Sequence, residues 1–167
     1  MKVPALPSVQ SADEYVLSLF PWQIIGALSF ARAGFSEGKQ VARFKGALKK
    51  LTELLDVRSR DIVWALKLEW GRWADRPHFH FVLTGLSPSR LTQATCQKLQ
   101  ILWTRKGGGR EADVELFDPA KHGLAYIAKN ASVRLDDSIR STAKFGVNGE
   151  HILFSKNLVE AAKQYVS

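Results

Sequence analysis

The stretch IVWALKLEW-GRWADRP-HFHFVLTG, residues 62–85, decides how the rest of the chain is read. Residues 62–70 are dominated by Ile, Val, Leu and Trp, side chains that suit a pleated surface. The next seven residues contain Gly71 and Pro77, which interrupt regular structure. Residues 78–85 return to Phe, Val and Leu in a strand-like run. Two apolar runs around a turn of this kind predict an antiparallel hairpin. Side chains on a strand alternate between faces. His78 and His80 therefore point to one side and Phe79 to the other, towards a core. If residue 69 pairs near residue 78, the Glu69 carboxylate joins the two imidazoles on their face.

Working outward, WQIIGALSF (22–30) reads as an earlier buried strand, and Ala31–Gly38 as a loop with two glycines. Val41, Phe44, Leu48, Leu51 and Leu55 recur at spacings of three and four, which predicts one apolar helix stripe. Lys39, Arg43, Lys45, Lys49 and Lys50 lie off that stripe and form a basic outer surface. Pro88 and Ser89 open a helix expected to run to about Thr104, with Leu91, Leu99 and Leu102 on one side. RKGGGR (105–110) reads as a flexible basic loop, and ADVELF (112–117) as a strand. Pro119 suits the first turn of a helix through about Asn130. HILF (151–154) reads as a short strand, and Ser155 as the cap of a last helix carrying Leu158, Ala161, Ala162 and Tyr165. A first short helix is expected over 9–19. The order is strand, helix, strand, strand, helix, strand, helix. It resembles a ferredoxin-like or RRM-like split βαβ arrangement: an α+β fold with a central, mostly antiparallel sheet and helices packed on it.

Composition narrows the function classes. Twenty-four Lys and Arg against sixteen Asp and Glu give a net charge of +8, which favours polyanionic partners, nucleic acid before membrane. Hydrophobic residues make up 46% of the chain, enough for one compact domain over 1–167. The single cysteine, Cys96, excludes an internal disulfide and a Cys-rich zinc site, and fits a reducing compartment. No apolar run is long enough to span a bilayer and the start lacks an export signal, so a cytoplasmic protein is expected.

Two constellations carry chemistry. His78 and His80 form half of a metal site. With Glu69 they leave open positions on Mg²⁺ or Mn²⁺ for a phosphate substrate. Tyr126 and Lys129, in GLAYIAKN (123–130), share a helix face. A phenol is a weak nucleophile near neutrality, and a nearby ammonium stabilises its phenolate. His122, one turn before Tyr126, is an alternative third ligand ranked below Glu69. His151 reads as structural. Trp70, Trp73 and Trp103 suit core or hairpin packing first and base stacking second. Arg105, Lys106 and Arg110 suit either a clamp on a nucleic-acid backbone or a solvated loop. Lys45 and Lys49 add further phosphate-contact candidates.

HFH preceded by Glu69 and followed about fifty residues later by YIAK resembles the HUH endonuclease superfamily. The YxxK form is similar to single-tyrosine rolling-circle replication initiators of plasmids and small single-stranded-DNA viruses. The likeness covers roughly residues 22–130 and leaves 131–167 as a C-terminal extension. It implies Glu69, His78 and His80 as ligands of a divalent metal, Mg²⁺ or Mn²⁺. It implies Tyr126 as nucleophile, Lys129 as its helper, a 5′-phosphotyrosyl enzyme and a free 3′-OH. Single-stranded or hairpin origin DNA would be the substrate. No second tyrosine stands three or four residues past Tyr126, which disfavours the two-tyrosine variant. No GxxxxGK[ST] occurs, so a host helicase, with a host polymerase, would supply strand separation and synthesis. Conjugative relaxases and single-strand transposases share the same site chemistry. A non-catalytic nucleic-acid-binding module is the alternative of a different class. A structural zinc site would lack a fourth ligand.

Overall fold

The computed structural model describes residues 17–31, 37–70, 77–121, 131–133, 150–158 and 160–161. In chain order these form β1 (Ile24–Phe30), α1 (Glu37–Leu55), β2 (Val63–Trp70), β3 (Pro77–Thr84), α2 (Gln93–Arg105), β4 (Gly108–Leu116), β5 (Ala131–Val133) and β6 (Glu150–Phe154). The sheet order is β4-β1-β3-β2-β6-β5. β1 lies between β4 and β3 and pairs antiparallel with both, and β2 pairs antiparallel with β3 and β6. Only the short β5 is parallel to its neighbour. Each helical crossover therefore skips one strand, β1 to β2 past β3 and β3 to β4 past β1. That is the split βαβ, ferredoxin-like arrangement expected from the sequence.

The hairpin forms as its residues require. Val63↔Thr84 through Trp70↔Pro77 pair in unbroken register. The alternation assigns Phe79, Phe81 and Leu83, with Trp64, Leu66 and Leu68, to the side where both helices pack. The α1 stripe delivers Phe44, Leu48, Leu51 and Leu55 to this core, with Val41 at its margin. α2 adds Cys96, Leu99, Leu102 and Trp103. The aromatic side chains meet edge to face, Phe30 on Phe79 at 4.8 Å and Phe44 on Trp64 at 5.3 Å between ring centroids. Such pairs add about 0.5–1.5 kcal/mol each beyond the area they bury.

The other side of the sheet is covered at one end only, among the described residues. Leu17, Phe20, Trp22 and Leu158 pack there on Val63, Ala65, Val82 and Ile152. β6 thus belongs to the same sheet, although the family likeness stops well before it. Leu153 faces the helices and Ile152 the opposite side. Among the described residues, no helix is long and apolar enough to cross a membrane.

Three expectations need correction. Pro88 and Ser89 do not open the long helix. They form a separate 3₁₀ turn, Pro88–Arg90, and α2 starts at Gln93 behind an N-cap, Thr92, whose side chain accepts from Thr95 N. RKGGGR is not one loop, because β4 begins at Gly108. Gly107 makes the tight turn at φ +87°, and a Cβ on Gly108 would collide with the indole Nε1 of Trp103. These two glycines serve a turn and a close packing contact instead of flexibility. Trp103, by contrast, is fully buried and donates from Nε1 to Ser29 O at 2.8 Å, the core packing favoured for it over base stacking. The loop expected to end at Gly38 gives way to helix already at Glu37.

Candidate functional site

β3 carries two imidazoles out of the sheet on the side away from α1 and α2, because its odd-numbered neighbours Phe79 and Phe81 are fully buried on the helix side. His78 and His80 are both half-buried. Their rings converge: the Nε2 atoms stand 3.0 Å apart and the ring centroids 4.8 Å apart. One Nε2–H can donate to the other Nε2 at that separation.

The same separation fits a shared cation. Two imidazole nitrogens about 2.1 Å from one ion and at right angles to each other are about 3.0 Å apart. Tetrahedral ligands at that bond length would stand about 3.4 Å apart. A separation near 3 Å is thus within the range of two imidazole ligands on one ion as well as of a direct hydrogen bond.

The sheet register supplies the surroundings. Glu69 and Ser29 are the partners of His78 on the two flanking strands. Lys67 and Ala27 are the partners of His80, and Asp113 lies beyond Ala27 on β4. Residues paired in one row share a face, with adjacent Cβ atoms about 4.5–5.5 Å apart. The register thus pairs Glu69 with His78 across the hairpin. Its side chain lies outside the described residues, and among those residues no group of three or more His, Cys, Asp or Glu surrounds one point.

Lys67 was missed in the sequence. It is 3% exposed, in the middle of the sheet, between His80 and Ile152 in its row. The signal available was its parity with Glu69: residues 67, 69, 78 and 80 all fall on one side of a hairpin whose register they share. Ala27, with only a methyl group, leaves the floor beside His80 low.

Around this centre the charges are unevenly placed. Arg105 and Lys106 end α2, and Arg110 stands at the start of β4; all three are exposed. Arg43 ties their turn to α1 by donating from Nη1 to Gly107 O at 3.0 Å. Phe30 pairs with Gly108 as Ser29 pairs with His78, so this turn lies at the same end of the sheet as His78. β4 is two strands from β3, about 10 Å away. Lys45 and Lys49 are exposed on α1, across the sheet from the histidines. Partial burial, and secondarily the Lys156 ammonium, hold the Lys45 amine below its ordinary value. The opposite sign gathers on β4, where Asp113 is exposed and Glu115 is bridged by Lys121 at 2.9 Å.

Tyr126, Lys129 and His122 lie outside the described residues, as do Trp73, Tyr15, Tyr165 and the side chain of Trp70. The expected helix over 119–130 is described only as far as a turn at Pro119–Lys121. Comparison with known proteins finds no match among family models, curated proteins or solved structures.

Proposed function

We propose that this chain is a metal-dependent endonuclease that nicks and rejoins single-stranded DNA through Tyr126, and so initiates rolling-circle replication. The observation that carries the reading is the convergence of His78 and His80 at 3.0 Å on the side of the sheet away from the helices. Surface histidines two apart on a strand share a side in any case; the meeting of their Nε2 atoms, which a direct hydrogen bond also accounts for, supports the reading because it aims both nitrogens at one place. The Glu69↔His78 register and the exposed basic turn at the same end of the sheet support the same reading.

In this reading His78, His80 and Glu69 would hold Mg²⁺ or Mn²⁺, which would supply Lewis acidity towards a phosphodiester oxygen. The remaining work falls to the chain. Tyr126 Oη attacks phosphorus, the new Oη–P bond forms, and the P–O3′ bond breaks. The phenol proton leaves to solvent, and the departing 3′ oxygen takes up a proton to become a 3′-OH. Lys129 stabilises the phenolate before attack. The phosphotyrosine keeps the energy of the broken bond, so a later 3′-OH can reverse the step without ATP. Arg105, Lys106 and Arg110 hold the strand through its phosphates and contribute affinity without sequence choice. Lys45 and Lys49, on the far side of the sheet, would contact only DNA that wraps the domain. The substrate is single-stranded or hairpin origin DNA in the cytoplasm of a host, where a helicase and a polymerase of the host complete replication.

The test is a denaturing gel of the protein incubated with labelled single-stranded DNA and Mn²⁺. A protein–DNA adduct that disappears with EDTA and in Tyr126→Phe is expected. An adduct undiminished in Tyr126→Phe would move the nucleophile to Tyr15 or Tyr165. DNA binding that is indifferent to metal and never yields an adduct would leave a non-catalytic nucleic-acid-binding domain.

A further inference from the structure

RKGGGR (105–110) is a poor sequence for holding a shape by itself. Glycine loses more backbone freedom on ordering than any other residue. Cations mounted beside three of them would have to be ordered again each time a phosphate binds, at a cost in affinity. The fold removes that freedom from two sides. On one side Trp103 donates from Nε1 to Ser29 O at 2.8 Å, Gly108 packs against the indole, and Ser29 pairs with His78. On the other side stands Arg43 of α1, whose Nη1 donates to Gly107 O at 3.0 Å.

Arg43 differs from the other cations of its helix. Lys39, Lys45, Lys49 and Lys50 are exposed, whereas Arg43 is half-buried. Its guanidinium lies against the turn: a Cβ on Gly107 would stand 3.4 Å from both Cζ and Nη2, and Gly107 has φ +87°. Gln40, fully buried one turn earlier, offers Oε1 to the same Nη1 at the long distance of 3.5 Å. The reverse orientation of that amide would set N–H against N–H. A guanidinium is thus directed at a neutral carbonyl within the fold, beside three cations, Arg105, Lys106 and Arg110, that are exposed. A planar fork suits this bracing better than an ammonium does.

Resting on the function proposed above, we propose that Arg43 is a positioning residue of the phosphate-holding turn: it fixes the backbone at Gly107, so that Arg105, Lys106 and Arg110 meet the DNA strand already ordered and at a set place relative to the histidines. Its charge serves the turn and makes no phosphate contact of its own. The Trp103–Ser29 contact holds the same turn to β1, in the row of His78.

The experiment measures binding of labelled oligothymidylate by fluorescence anisotropy over a range of salt, in EDTA so that no strand is cut. Four proteins are compared: the wild type, Arg43→Met, the triple variant with Arg105, Lys106 and Arg110 changed to alanine, and the combination of all four changes. Arg43→Met is expected to bind about fivefold more weakly, the cost of ordering the turn on binding. Its slope of log K against log salt should stay that of the wild type, because no phosphate contact is lost. In the triple variant the same substitution should have no further effect, since nothing remains to be positioned. Val57→Ala, beyond the far end of α1 and packed on the core, shows what lost stability alone does: a lower Tm with unchanged affinity. If Arg43→Met fails to fold, Arg43→Gln makes the same comparison. Three results overturn the proposal. A slope lowered by about 0.7 in Arg43→Met would make Arg43 a phosphate contact itself. An equal loss in the wild-type and triple backgrounds would mean that it does not act through the turn. An affinity loss in Val57→Ala as large as that in Arg43→Met would trace the effect to stability. A triple variant that binds as tightly as the wild type removes the turn from the DNA path and the role of Arg43 with it, while formation of the Tyr126 adduct would leave the nicking reading standing.

Discussion

Phe79 and His80 are adjacent in β3 and face opposite sides of the sheet, so truncating each to alanine separates what holds the fold from what holds a ligand. Phe79 is fully buried, with Phe30 at 4.8 Å, Trp103 at 6.2 Å and Phe44 at 6.3 Å between ring centroids. Phe79→Ala removes that ring from the middle of the helix-side core, where strands and helices on both sides limit collapse. A loss of about 3–5 kcal/mol follows from comparable truncations. For a chain of this size each kcal/mol moves Tm by about 2–4 °C, so a fall of roughly 6–20 °C is expected. His80 is half-buried at the outer side, with a polar contact to His78 at 3.0 Å. His80→Ala should cost about 1 kcal/mol or less, a few degrees at most. Its effect on metal should be far larger. Residues one shell outside a metal are already worth about 10–100-fold in affinity, so loss of one of two imidazole ligands should weaken Mn²⁺ by more than about tenfold. Differential scanning calorimetry and a Mn²⁺ titration in the presence of oligothymidylate read the two quantities. The reasoning fails if His80→Ala binds Mn²⁺ within threefold of the wild type, or if it lowers Tm as much as Phe79→Ala does.

Replacing Arg105, Lys106 and Arg110 together by alanine should lower the slope of log K against log salt for single-stranded DNA by about 2, since each phosphate contact contributes about 0.7; an unchanged slope would place the strand elsewhere. Gly108→Val should destabilise the protein by at least about 1–3 kcal/mol in urea melts, because its Cβ would strike the Trp103 indole, whereas Gly46→Ala, with open space around it, should not destabilise. Burial pushes the Cys96 thiol above its ordinary value of 9.0, so the folded state keeps the proton that the unfolded state releases. The stability this gives is complete below the unfolded pKa and is lost as pH rises through the folded one. Urea melts should therefore show a decline from pH 8 to pH 10 that is smaller in Cys96→Ala than in the wild type.

What could be read from the sequence was whatever local spacing alone determines. The hairpin was legible because Phe79, Phe81 and Leu83 against His78 and His80 have a period of two that admits one register relative to a core. The α1 stripe was legible because five apolar residues at spacings of three and four define a single face. One error was local, and another fell where a distant residue decides. Pro88 and Ser89 are good helix starters, and only the Thr92 hydroxyl, accepting from Thr95 N, shows that the helix begins later. The glycines at 107 and 108 resemble a linker until Trp103 and Phe30 are brought against them.

The same division runs through the candidate site. That His78 and His80 share a side follows from strand geometry, whereas the pairing of Glu69 with His78 was a condition in the sequence and is given by the sheet register. That the two rings converge is a matter of rotamers, which no spacing specifies. Lys67 was invisible for a stronger reason. In the string ALKLEW it is an ordinary polar position, and a strand with one open side would leave it wet. It lies in the middle of the sheet because β6, more than eighty residues later, pairs with β2 and brings Ile152 alongside it. A two-stranded reading of the hairpin leaves that edge of β2 open, and no spacing within residues 62–85 shows which later segment closes it.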